Sequence, residues 1–138
     1  MLFEEYKLKN VSLRNRVVMA PMTRNQSPGG VPTDDVISYY SRRAKAEVGM
    51  IITEGIEVSH EASSAYPNVP RLDSNDAKEG WKKVVAGIKN NHGVVIAQLW
   101  HCGGFRKLGM QPNPEVPGHT ASGLVKPGKK VAHEMTLE

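Results

Sequence analysis

Apolar residues along this chain follow two patterns that alternate. Three runs are apolar and β-rich: Arg16-Val17-Val18-Met19-Ala20, stopped by Pro21; Met50-Ile51-Ile52-Thr53-Glu54-Gly55; and Val94-Val95-Ile96-Ala97-Gln98-Leu99-Trp100. The first is apolar without alternation, which predicts a strand covered on both faces. Between them the spacing turns helical. After a Gly/Pro/Ser loop, Thr33 with Asp34 and Asp35 predicts an N-cap and an acidic first turn. Val36, Ile37, Tyr40 and Ala44 continue a helix that should end near Glu47 or Gly49. Trp81, Val84, Val85 and Ile88 then form one stripe on a second helix. Asn91-His92-Gly93 closes that helix, with Gly93 free to take the left-handed conformation.

Strand, helix, strand, helix, strand predicts consecutive βαβ units with right-handed crossovers and a parallel sheet. Two α/β architectures remain open, a doubly wound sheet and a (β/α)8 TIM barrel. Both gather chemistry at the carboxyl ends of their strands. Pro21-Met22-Thr23-Arg24, Thr53-Glu54-Gly55 and Gln98 to Gly103 all fall there. The division expected is residues 1–103 for three strands and two helices, and residues 104–138 for a long Pro/Gly-rich loop. That loop holds Pro112, Pro114, Pro117 and Pro127, with a hairpin expected around Gly123 to Val131. Thr136 reads as the N-cap of a further helix.

Composition narrows the functional classes. Hydrophobic residues at 39% and charged residues at 23% fit a soluble globular chain, and no apolar run approaches a membrane span. The acidic N-terminus MLFEEYKLKN is unlike a signal peptide, and the single cysteine, Cys102, allows no intrachain disulfide. A cytoplasmic location is the expectation. The net charge of +4 is scattered, without the basic face and interleaved aromatics of a nucleic-acid groove. His92, His101, Cys102, His119 and His133 show no CxxC, HxxxH or HxxE spacing, so no metal is expected. Cys102 is expected to pack rather than to attack, and Pro28-Gly29-Gly30 lacks the lysine of a phosphate loop.

Gln98 is the informative residue. An amide in an apolar strand needs hydrogen-bond partners, or its burial costs about 1–3 kcal/mol. Its donors and acceptor suit the edge of a heterocycle that both gives and takes hydrogen bonds. Trp100, two residues on, lies on the same side, as core packing or as a wall for a planar ligand.

Four segments in order, LFEEYKLKNVSLRNRVVMAPMTRNQ (2–26), SYYSRRA (38–44), GMIITEGIEVS (49–59) and IAQLWHCGG (96–104), resemble the Old Yellow Enzyme family of FMN-dependent ene-reductases. KVAHEMTLE is similar to the segment before that family's third barrel helix. The resemblance implies a (β/α)8 barrel with FMN across the carboxyl ends of its strands. It implies that Pro21, Met22 and Thr23 line the flavin, the Thr23 hydroxyl donating to the C4 carbonyl. It implies that the Gly55 backbone approaches the ring where a side chain would collide, and that Gln98 holds the pyrimidine edge. Thr23 and Trp100 would border the substrate pocket, and His101 would support its loop. NAD(P)H would be the reductant, with activated C=C bonds of unsaturated carbonyls and nitro compounds as substrates. Where the family usually carries arginine after the LWH segment's glycine, this chain has Gly104, with Arg106 two residues later.

The family's substrate-anchoring pair and proton-donating tyrosine belong to later strands, so no catalytic residue is expected in these residues. A barrel needs roughly 250 residues. Three strands alone leave unpaired edges and one uncovered apolar face, which predicts a complementary chain carrying the remaining strands. The alternative is a non-enzymatic barrel remnant that self-assembles through those edges.

Overall fold

The three apolar runs form one parallel sheet in the computed structural model, which describes residues 1–136. The start of the helix expected from Thr136 through Leu137 and Glu138 lies outside the described residues. A hairpin that the apolar pattern did not predict comes first, β1 (Tyr6–Leu8) against β2 (Val11–Leu13), antiparallel. The sheet follows in the order β3 (Val18–Met19), β4 (Met50–Glu57), β5 (Val94–Trp100), with β4 central and both pairings parallel. Two helices make the crossovers, α1 (Asp34–Lys45) and α2 (Asn75–Lys89).

The helices cover one face of the sheet. Val36, Tyr39, Tyr40 and Ala44 of α1, Ile51 and Ile56 of β4, and Trp81, Val84 and Ile88 of α2 make a single buried cluster. Ile51 and Ile56 are an odd number of residues apart, so an unbroken strand would send them to opposite faces. A register shift between Ile52 and Gly55 restores Ile56 to the helix side. The irregularity falls at Thr53-Glu54, the strand end where chemistry was expected.

Two local expectations are corrected. Thr33 stands at the N-cap of α1, but its hydroxyl donates to the Gln26 carbonyl at 3.1 Å instead of capping the helix. After α2 it is His92, with φ 56°, that takes the left-handed conformation, and not Gly93. Gly93 is required for space, because a Cβ there would lie 2.7 Å from the Ile88 side chain and 3.1 Å from Ala44.

The other face of the sheet is open at Val18 and Ile96, 43% and 45% exposed. Leu99, the register partner of Ile56 on the helix side, is 67% exposed at the sheet's margin, and the outer edges of β3 and β5 have no strand partner among the described residues. Beyond β5 the chain makes a long excursion. It contains β6 (His119–Thr120), β7 (Leu124–Lys126), β8 (Lys129–Lys130) and β9 (His133–Glu134). β7 and β8 form the antiparallel hairpin expected near Gly123, and β6 pairs in parallel with β9 around it.

Arg106 organises this excursion. Its side chain is buried, and its guanidinium donates only to carbonyls: Nε to Val116 at 3.0 Å, Nη1 to Ser64 and to Gln111 at 3.4 Å, and Nη2 to Met110 at 3.0 Å and to Asn113. All three nitrogens are engaged by five carbonyls, which satisfies the donor inventory of arginine without a carboxylate.

Candidate functional site

The site is built where the three sheet strands end. Past β3, Pro21 is half-buried while Met22 and Thr23 are exposed, so the Thr23 hydroxyl is accessible above the strand end. The next residue fixes this turn. The Arg24 N–H donates to Glu54 Oε2 at 2.9 Å, and the Arg24 guanidinium lies over the Tyr39 ring, 3.5 Å from its centroid.

Glu54 is fully buried at the β4 irregularity. Its own N–H donates to the Tyr40 hydroxyl of α1 at 2.7 Å, and its carbonyl accepts from Thr53 Oγ1 at 2.8 Å. Thr53 Oγ1 in turn accepts the Gln98 N–H of β5 at 3.2 Å. Arg24, Glu54, Thr53 and Gln98 therefore form one chain of hydrogen bonds that ties the three strand ends together. Burial pushes the Glu54 carboxyl above the usual carboxylate range, opposed by the Arg24 N–H, and its Oε1 has no partner among the described residues. Burial also pushes the Tyr40 hydroxyl up, so it stays protonated.

Gly55 and Gln98 are register partners across β4 and β5, which brings these two expected flavin contacts side by side. Gly55 has no room for a side chain: a Cβ there would lie 2.4 Å from the Trp100 ring, which packs over the glycine. Trp100 stacks on Tyr66 with centroids 5.9 Å apart, and Tyr66 on Phe105 at 6.2 Å, an aromatic row rising from the end of β5. The Gln98 side chain is half-buried on an edge strand and has no hydrogen-bond partner among the described residues, so its donors and acceptor remain available.

His101 holds its own loop, Nδ1 accepting the Gly103 N–H at 2.9 Å. Cys102 is buried, and burial pushes its thiol up, which keeps it protonated and a poor nucleophile. Among the described residues no group of three or more His, Cys, Asp or Glu is arranged to hold a metal ion, and no helix is long and apolar enough to cross a membrane.

Glu54, Tyr40, Tyr66 and Arg106 received no role from the sequence. Glu54 carried a usable signal: it is an acid inside an apolar strand, the same anomaly that singled out Gln98. Tyr66 and Arg106 lie in loops without periodicity and carried none.

An exposed hydroxyl, a glycine and an unengaged amide, set on adjacent strand ends, fit the hydrogen-bonding edge and the face of a flavin ring. Comparison with known proteins decides the family. The sequence model of the NADH:flavin oxidoreductase / NADH oxidase family matches residues 1–138. The chain belongs to this family.

Within that family of Old Yellow Enzyme relatives, the chain is similar to 12-oxophytodienoate reductase 7 of Oryza sativa subsp. japonica, with 38% identity over 116 residues, 84% of this chain and 29% of that protein. It is also similar to 12-oxophytodienoate reductase 2 of Arabidopsis thaliana, at 35% identity over 84% of this chain and 30% of that protein. Among solved structures, morphinone reductase superposes with a TM-score of 0.86 at 29% identity, covering 99% of this chain and 40% of that one. A morphinone reductase complex with tetrahydroNAD gives 0.84 at 28% identity, covering 99% and 41%. The chain thus spans under a third of these curated relatives and about two fifths of these structures. Of the two architectures left open, the likeness selects the (β/α)8 barrel, of which the described residues form an unclosed part.

Proposed function

We propose that these residues supply one side of the FMN seat of an ene-reductase that uses NAD(P)H to reduce activated C=C bonds. FMN, when bound, supplies the hydride chemistry; the protein's part is binding, orientation and shielding. Thr23 donates its hydroxyl to a carbonyl of the ring, and Pro21 and Met22 pack beside it. Gln98 meets the pyrimidine edge with its amide, and the Gly55 backbone approaches the ring beside Trp100, whose indole the glycine admits. Trp100, backed by Tyr66, bounds the substrate side together with Thr23. The observation that carries this reading is the register pairing of Gly55 with Gln98 beside a Thr23 turn that the Glu54 carboxylate anchors. Family membership supports the cofactor, and the tetrahydroNAD bound to a similar enzyme supports a nicotinamide reductant.

The open edges of β3 and β5 and the exposed Ile96 and Leu99 support completion of the barrel by further strands, on a complementary chain or segment. The buried, unpaired Cys102 suits a reducing compartment such as the cytoplasm.

The test is an FMN titration of this chain, alone and mixed with a polypeptide carrying the remaining strands of a homologous barrel, followed by flavin fluorescence. The mixture should quench and turn yellow, bleach with NAD(P)H in the absence of oxygen, and recover its colour with an unsaturated ketone. Gln98→Ala should weaken FMN binding roughly tenfold, the worth of about one buried hydrogen bond. A colourless homo-oligomer that binds no FMN in either mixture would overturn the proposal and favour a self-assembling remnant.

A further inference from the structure

Four of the five histidines in the chain meet at one place, beside the strand-end site and just beyond β4 and β5. His60 in the loop after β4 lies 5.6 Å from His101 and 4.9 Å from His119, ring centroid to ring centroid. His119 of β6 stacks on His133 of β9 at 4.7 Å, with the rings 18° from parallel. Together with Val58 and Met135 they line a cavity of about 420 Å³ between the sheet and the returning excursion. The backbone reinforces the same junction: the His133 N–H donates to the Gly118 carbonyl at 2.7 Å and the Met135 N–H to Thr120 at 3.0 Å.

Two of these rings are fixed in one tautomer. His60 Nδ1 accepts the Ala62 N–H at 3.1 Å, and His101 Nδ1 accepts the Gly103 N–H at 2.9 Å. A neutral imidazole that accepts at Nδ1 carries its proton on Nε2. Neither ring then offers a lone pair to a metal ion, in keeping with the lack of any metal-holding group among the described residues. Protonating either ring puts a second N–H at Nδ1, facing a backbone N–H that it formerly satisfied. Each such proton therefore breaks a turn hydrogen bond and adds a positive charge beside its neighbours.

We propose that this histidine cluster is an acid-released clasp, which holds residues 118–136 against the ends of β4 and β5 when neutral and frees them when protonated. The mutual repulsion of the imidazoles favours release, and the nearby carboxylates set its limit. Glu61, from the loop after β4, acts on His119 in the opposing sense, and Glu134 of β9 is ion-paired with Lys130 at 2.7 Å. Val58, Met135 and Thr136 complete the lining without charge. Burial and the neighbouring imidazoles push His101 and His119 below the usual histidine range. A folded-state value below the unfolded one means that the docked form binds fewer protons, so docking is favoured at neutral pH and weakens as pH falls through the histidine range. Because the clasp lies at the ends of β4 and β5, its release would alter access to the strand-end site, yet it operates whether or not flavin binds.

Hydrogen–deuterium exchange of this chain at about pH 7.5 and about pH 5.5, corrected for the intrinsic pH dependence of exchange, tests the clasp. Acid should cost segments 60–64 and 118–136 roughly tenfold in protection while α1 and α2 keep theirs. The double variant His119→Phe with His133→Phe retains flat stacked rings without their charge, and its acid loss should be well below that of wild type, with His60 and His101 supplying what remains. Equal protection of the wild-type segments at both pH values overturns the clasp, as does an acid loss in the double variant as large as that of wild type. Loss of protection in α1 and α2 to the same extent would overturn it too, by making the acid response global.

Discussion

The βαβ scaffold and the excursion after β5 are ordered by opposite means. The scaffold buries a contiguous apolar cluster drawn from α1, α2 and β4, and its polar chemistry is confined to strand ends. The excursion contributes few large apolar side chains to any core: Phe105, Leu108, Leu124 and Val131 are all exposed. Its order comes from one guanidinium bonded to loop carbonyls and from a cluster of imidazoles. Burial of apolar area is diffuse and tolerant, whereas a point interaction is lost with one residue. The scaffold should therefore fail gradually and globally, and the excursion abruptly and locally.

The largest expected effect tests the scaffold. Trp81 is buried in the core, tilts against Tyr40 at 6.4 Å and donates its indole N–H to the Arg71 carbonyl at 3.0 Å. Trp81→Ala should cost about 3–5 kcal/mol, a cavity plus a lost bond. The loss should appear as a lower midpoint of the whole far-UV melt. A local change confined to the loop at residues 70–74 would mean that the core is not one cooperative unit.

Arg106→Met sharpens the contrast from the other side. It keeps much of the buried volume but strips the donors from up to five carbonyls, at about 3 kcal/mol for the region that depends on them. Exchange of residues 104–136 should rise by roughly two orders of magnitude while α1 and α2 stay protected. If the helices lose protection equally, the two regions fold as one and the contrast between them fails.

The same difference explains what the sequence disclosed. β4, β5 and both helices were legible because apolar burial imposes a period, and Val94–Trp100 matches its predicted run at both ends. β3 shortened to Val18–Met19 because only one neighbour pairs with it. The β1–β2 hairpin does alternate, Tyr6-Lys7-Leu8 and Val11-Ser12-Leu13 about Lys9-Asn10, but strands of three residues are too short for a period to stand out, and every position but Leu13 is exposed. Arg106 and the histidines were illegible as a structure because their partners are carbonyls and distant loops, which leave no spacing in the chain. At the site, the strand-end clusters were visible, but the hydrogen-bond chain joining them was not. It depends on a register shift at Thr53-Glu54 that only the three-dimensional pairing reveals.

The smallest effect concerns Glu54, where the scaffold departs from apolar burial. Its carboxyl is raised in the folded protein by desolvation, and Glu57 is raised for the same first cause. For an acid with a raised folded-state value, the native form holds the proton more tightly. Its contribution to stability is full below the ordinary carboxylate range and is lost as pH rises through the folded-state value. Glu54→Gln cannot ionise, while its amide carbonyl can still accept the Arg24 N–H. The variant should match wild type near pH 4 and melt higher at neutral pH, by roughly 1 kcal/mol or less, with Glu57 supplying the slope that remains. Thermal melts across that range check the sign; a variant less stable at every pH would show that the ionised carboxylate is a net stabiliser through Arg24. If the variant gains stability yet binds FMN more weakly in the completed barrel, then the unpartnered Oε1 belongs to the site, and the scaffold carries a buried charge there at a cost to its own stability.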